Sequence, residues 1–171
     1  MTRSLALLVP CAIALLLAGC GSPGSQGGSV RRLSGAQMLA QVRAAGETGR
    51  ELDVQPLRDA QVEDLRAAAA TAEQRGDYAA ADAALLSALR ISAGDPDLTQ
   101  WRAEIALVRR DFPGAEKLAM ESYERGPKLG GLCRRNWTTL QLAREARGDA
   151  GNALIAQQRV GQCAVNPPVR M

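Results

Sequence analysis

The chain has 171 residues, of which 21 are Lys or Arg and 18 are Asp or Glu; its formal net charge is +3 and it contains no histidine. The missing histidine removes the commonest general base and the commonest metal ligand, and a small net charge without a clustered basic face gives no electrostatic basis for nucleic-acid binding. There is no G-x-S-x-G, no phosphate-binding glycine loop and no C-x-x-C pair, so hydrolase, nucleotide and zinc chemistry lack a starting motif.

The chain begins with Arg3, an apolar run over residues 5–17 broken by one proline, and Leu17-Ala18-Gly19-Cys20. A charged start, a short apolar centre and small residues before a cut site describe a secretory signal over residues 1–19. The run is too short for a bilayer span of ~20 helical residues. With Cys20 directly after the small residues, the segment resembles the bacterial lipoprotein signal, which implies that Cys20 is acylated, palmitate included, and becomes the first mature residue. Gly21 stands where an aspartate would mark retention. The resemblance therefore implies an outer-membrane anchor, with the protein facing the periplasm.

Residues 20–56 read as the lipidated cysteine and a mostly flexible tether. The stretch 21–35, GSPGSQGGSVRRLSG, has no apolar period, and such a segment has an r.m.s. span of roughly 20 Å and a limit near 50 Å. Met38, Leu39 and Val42 predict a short amphipathic helix over 36–45. Residues 46–56 then break it.

From residue 57 a turn-and-helix unit recurs. Gly76-Asp77-Tyr78 followed by Ala81, Leu85 and Ala88 returns 34 residues later as Arg110-Asp111-Phe112 followed by Ala115, Ala119 and Ser122. Gly148-Asp149-Ala150 with Ala153 comes 38 residues after the second turn, and the extra residues fit a loop over 126–131. Helical spacing predicts helices over 57–75, 78–91, 96–110, 112–125, 132–147 and 149–162. Asp77 and Asp95 are placed as caps, and a disordered tail follows over 164–171.

These residues resemble three tandem tetratricopeptide repeats, whose period is 34 residues; Trp137 and Leu140 occupy the signature's opening aromatic and leucine. The departures are Arg110 for glycine, Ala150 for the aromatic, and no opening tryptophan in the first repeat. The resemblance implies an all-α fold, a short solenoid of three helical hairpins over residues 57–163. Antiparallel hairpin helices place Cys133, at the start of one helix, beside Cys163, at the end of the next, so a disulfide is geometrically natural. Two separate buried thiols are the alternative.

A repeat array presents a concave surface built from the first helix of each hairpin. Counting from the turns, the partner-binding groove is expected to comprise Glu63, Arg66, Ala70 and Glu73, then Asp97, Gln100, Glu104 and Leu107, then Arg135, Thr138, Leu142 and Glu145. Carboxylates such as Glu63, Asp64, Asp97 and Glu104 read as solvent-facing. The set does not reproduce the lysine and asparagine clamp of chaperone-binding repeats.

No catalytic residue, metal or cofactor is expected; the resemblance implies a non-enzymatic adaptor for a periplasmic protein. The small size and the closed last repeat look most like lipoproteins that activate a class A penicillin-binding protein, the bifunctional peptidoglycan synthase. A pilotin-like assembly lipoprotein for a secretin or pilus, or a periplasmic scaffold or holdase, is the alternative.

Overall fold

The structure is a computed structural model and describes residues 32–49 and 57–164. The signal, Cys20 and the glycine-serine stretch up to residue 31 lie outside the described residues, as does the tail beyond 164. Seven helices are present and no strand occurs among the described residues: α1 (Gly35–Glu47), α2 (Ala60–Gln74), α3 (Tyr78–Ile91), α4 (Pro96–Val108), α5 (Phe112–Arg125), α6 (Gly130–Ala146) and α7 (Ala150–Gln162).

The three hairpins α2–α3, α4–α5 and α6–α7 are joined by one turn used three times. A helix-ending arginine, Arg75, Arg109 or Arg147, precedes a residue in the left-handed region, Gly76 (φ 74°), Arg110 (φ 63°) or Gly148 (φ 80°). The following aspartate sends its amide back to the helix just ended, in bonds of 2.9 Å from Asp77 to Ala72, Asp111 to Ala106 and Asp149 to Arg144. Its carboxylate accepts the amide of Ala80, Gly114 or Asn152 at the start of the next helix. Each turn thus satisfies the orphan carbonyls of one helix and an orphan donor of the next. Arg110 holds this conformation without the freedom of glycine, at a cost of about 1 kcal/mol, and its guanidinium lies 5.6 Å from the centre of the Phe112 ring.

Small residues at the interfaces let the helices approach closely. Ala69, Ala72, Ala81 and Ala88 pack with Val62, Leu85, Leu98 and Ile105 between the first two hairpins. Ala103, Ala119 and Ala156 pack with Trp137 and Leu140 between the second and third. Tyr123 meets Trp137 edge to face at 4.9 Å. Cys133 and Cys163 are joined with a Cα–Cα distance of 5.6 Å and tie the first turn of α6 to the end of α7.

Several boundaries differ from the expected ones: α2 starts at Ala60 and not at 57, and α4 ends at Val108 and not at 110, where the left-handed Arg110 stops it. α6 begins at Gly130, so part of the expected 126–131 loop is helical; its start has no side-chain cap, and the Gly130 amide instead donates to the Cys163 carbonyl at 2.8 Å. The helix expected over 36–45 forms as α1 over Gly35–Glu47; the departure from a mostly flexible tether is that this helix packs on α4 and α6 as part of the domain.

Candidate functional site

The first helices of the hairpins, α2, α4 and α6, carry the residues expected to form the concave groove, and α1 covers much of it. The local reason α1 forms is a reciprocal cap: Ser34 Oγ accepts the Gln37 amide and Gln37 Oε1 accepts the Ser34 amide. Met38 and Val42, one turn apart on one face, are buried at 2% and 0% exposure against Leu107, Ala115, Leu142 and Ala143.

Two glycines set the closeness of this packing. A Cβ on Gly35 would stand 2.4 Å from the Val108 carbonyl oxygen, and one on Gly131 would stand 2.7 Å from the Gly46 carbonyl oxygen. Buried Arg134 donates from Nε to the Ala45 carbonyl at 3.0 Å and from Nη2 to the Gly46 carbonyl at 3.4 Å. It caps the C-terminal end of α1, where unpaired carbonyls and the helix dipole favour a cation.

Beneath α1 lies a continuous ionic network. Arg43 donates to both oxygens of Glu73, at 2.7 and 2.9 Å, and to Glu104 at 3.2 Å. Glu104 also accepts from Arg135 Nε at 2.8 Å and from Gln100 at 3.2 Å, while Arg135 Nη1 reaches Asp97 at 2.9 Å. Arg66 completes the network with a 2.9 Å bond to Asp97, and its guanidinium lies 5.3 Å from the centre of the Trp101 ring. Trp101 in turn donates to Glu73 at 2.7 Å.

This geometry corrects the reading of an open groove. Gln100 and Glu104 are fully buried, Thr138 and Leu142 are buried, and Leu107 is part of the core under α1. The expectation that Asp97 and Glu104 face solvent fails because arginines from α1, α2 and α6 converge on them. Glu63 is more open, its side chain 52% exposed, and Arg66 is half-buried at the uncovered end near α2. Sequence reasoning missed Arg43 and Arg134, which hold α1 in place. The Ser34-x-x-Gln37 pattern would have shown where the helix starts.

The network is pH-sensitive in a fixed direction. Burial alone pushes the Glu73 carboxyl up, but the hydrogen bonds from Arg43 and Trp101 outweigh it and hold the group below its ordinary value of 4.5. At Asp97 burial also pushes upward, and Arg135 and Arg66 more than offset it, leaving the group below 3.8. A carboxylate depressed by folding contributes stability in full above its unfolded value, and that contribution is lost as the pH falls through the folded one. Stability is therefore expected to be unchanged by these groups from pH 7 to about 5 and to fall below about pH 4. Urea midpoints across that range check this, and in Glu73→Gln the acid loss should be smaller.

Among the described residues no group of three or more His, Cys, Asp or Glu side chains is arranged to hold a metal, and no helix is long and apolar enough to cross a membrane. No family model and no curated protein matches the chain. Among solved structures, the chain is similar to the globular C-terminal domain of P. aeruginosa LpoP, with 27% identity and a TM-score of 0.57 over 61% of this chain and 99% of that one. The chain thus carries the fold of the LpoP globular domain, an all-α, tetratricopeptide-type solenoid of the kind that its turns and its 34-residue interval resemble.

Proposed function

We propose that the chain is a non-enzymatic adaptor, anchored through acylated Cys20 in the outer membrane, that reaches into the periplasm and activates a bifunctional peptidoglycan synthase, a class A penicillin-binding protein. The observation that carries this reading is the likeness to the LpoP domain over nearly all of that domain's length. The lipoprotein-type signal ending at Cys20 supports the address, and the glycine-serine stretch after it supplies reach. Chemistry belongs to the partner in this reading. The adaptor acts by binding the synthase's active state more tightly than its inactive one, because only differential affinity shifts an equilibrium.

The test combines capture and activity. Crosslinking in intact cells expressing the lipidated protein is expected to recover a peptidoglycan synthase. The chain from residue 21 onward, which includes all of the compact unit from residue 32 to 171, is then expected to raise that enzyme's glycan polymerisation rate several-fold, as a coupling of 1–3 kcal/mol would. Recovery of a secretin or pilus component in place of a synthase, or no change in polymerisation at saturating protein, would sink the proposal.

A further inference from the structure

We infer that the synthase is met by the edge of the array opposite the hairpin turns, where a cleft between the start of α2 and the end of α3 receives one apolar side chain of that enzyme with a basic residue beside it. This deepens the adaptor reading and rests on it for the existence of the partner.

The topology defines two edges. The three hairpin turns lie along one, and the starts of α2, α4 and α6 lie along the other with the ends of α3, α5 and α7. The chain enters the domain at the turn edge. Arg110, in the turn between α4 and α5, donates to the Leu33 carbonyl at 3.4 Å, Leu33 and Phe112 pack on the same core cluster, and Gly35 lies against Val108 at the end of α4. The arginine that stands in place of glycine in this turn thus holds the entering chain. α4 has 13 residues, so the two edges stand ~20 Å apart. A domain anchored through Cys20 is tied to the membrane by its turn edge, and the opposite edge has the clearer approach for a large partner.

That opposite edge carries the cleft, about 290 Å³ in volume and lined by Leu57, Val62 and Ile91 together with Arg58, Asp59, Ser92 and Asp95. Val62 forms a buried floor, whereas Leu57 is fully exposed and Ile91 is 42% exposed. Large apolar side chains left in water around a concavity gain most when a partner's apolar anchor excludes that water. The lining holds one cation against two carboxylates. Arg58 is shared among Glu63, Asp95 and Asp97, at 3.6, 4.0 and 3.5 Å, and Asp59 adds an exposed carboxylate. A basic residue beside the inserted side chain is attracted by this excess, and an acidic one is repelled.

The experiment measures binding of the chain from residue 21 onward to the detergent-solubilised synthase by biolayer interferometry. Leu57→Asp and Ile91→Asp are each expected to weaken binding at least about tenfold with an unchanged urea midpoint, and Arg75→Ala, at the turn edge of the same hairpin, should leave it unchanged. Asp59→Asn keeps the cap on the Gln61 amide and removes the charge. It should weaken binding about threefold at low salt and not at high salt.

If Ile91→Asp does not fold, Leu57→Asp decides, because that side chain is fully exposed. Binding of the Leu57→Asp chain within about twofold of the unmodified one overturns the inference and leaves the adaptor reading standing. No synthase binding by the unmodified chain removes both. In cells, a photoreactive benzoylphenylalanine in place of Ile91 of the lipidated protein should crosslink to the synthase, and one in place of Arg75 should not. A crosslink from position 91 to the chain itself or to a second copy, in place of the synthase, would show another occupant in the cleft and overturn the inference.

Discussion

Replacing Cys133 and Cys163 together by alanine is expected to lower the stability of the domain by about 3–4 kcal/mol, the chain-entropy value for a loop of this size. The bridge closes 30 residues and joins the start of α6 to the end of α7, so it holds the last hairpin as a closed unit. The effect matters at this place because α7 is the outermost helix of the array and packs on α6 alone among the other helices. Its exposed side carries Leu154 and Ile155, at 55% and 51% exposure. The covalent tie to α6 limits fraying of this helix. In a domain of this size the loss corresponds to a fall of about 10–20 °C in Tm. Urea unfolding of the unmodified chain with and without reductant gives the comparison, and the reduced protein should coincide with the double variant. A difference below about 1 kcal/mol would show that the hairpin holds without the bridge.

The repeat architecture was legible because its cause is local. Each turn needs a left-handed residue and an aspartate in fixed order, and Gly76-Asp77, Arg110-Asp111 and Gly148-Asp149 supply them at related intervals. Even the departure at Arg110 kept the turn, since the backbone bonds from Arg110 to Leu107 and from Asp111 to Ala106 form regardless of the side chain. The disulfide was legible for the same reason, because hairpin geometry brings the two ends together.

The groove was legible only as a set of positions. Counting from the turns picked out Glu73, Asp97, Gln100, Glu104 and Arg135, which one hydrogen-bonded network joins through Arg43. Their environment depends on where α1 goes, and nothing in the spacing of Met38 and Val42 states that. A carboxylate at a helix position reads as solvated unless its cation is known to arrive, and Arg43 is 61 residues away from Glu104 in sequence. The close approaches at Gly35, Gly46 and Gly131 were equally hidden, since those glycines read as turn and loop residues.

Glu104→Ala is expected to cost about 3 kcal/mol, at the lower end of the range for breaking a buried charge pair. The side chain is fully buried and accepts from Arg135, Gln100 and Arg43, so it joins α4 to α6 and to α1 at once. Its removal leaves Arg135 with Asp97 alone, and because the Arg135 side chain keeps 22% exposure, water relieves part of the penalty. Arg43 is 40% exposed and retains Glu73, so Arg43→Ala should cost about 1 kcal/mol, as partly exposed pairs do. A double-mutant cycle on Arg43 and Glu104 separates the two roles of the carboxylate. A coupling of about 0.5–1 kcal/mol, well short of the full Glu104 cost, is expected if Arg135 is its principal partner. Coupling equal to the whole effect would mean that Glu104 serves the docking of α1 and not the α4–α6 stack. Urea unfolding of the four proteins gives these numbers, and a Glu104→Ala variant within about 0.5 kcal/mol of the unmodified chain would refute the account of the buried network.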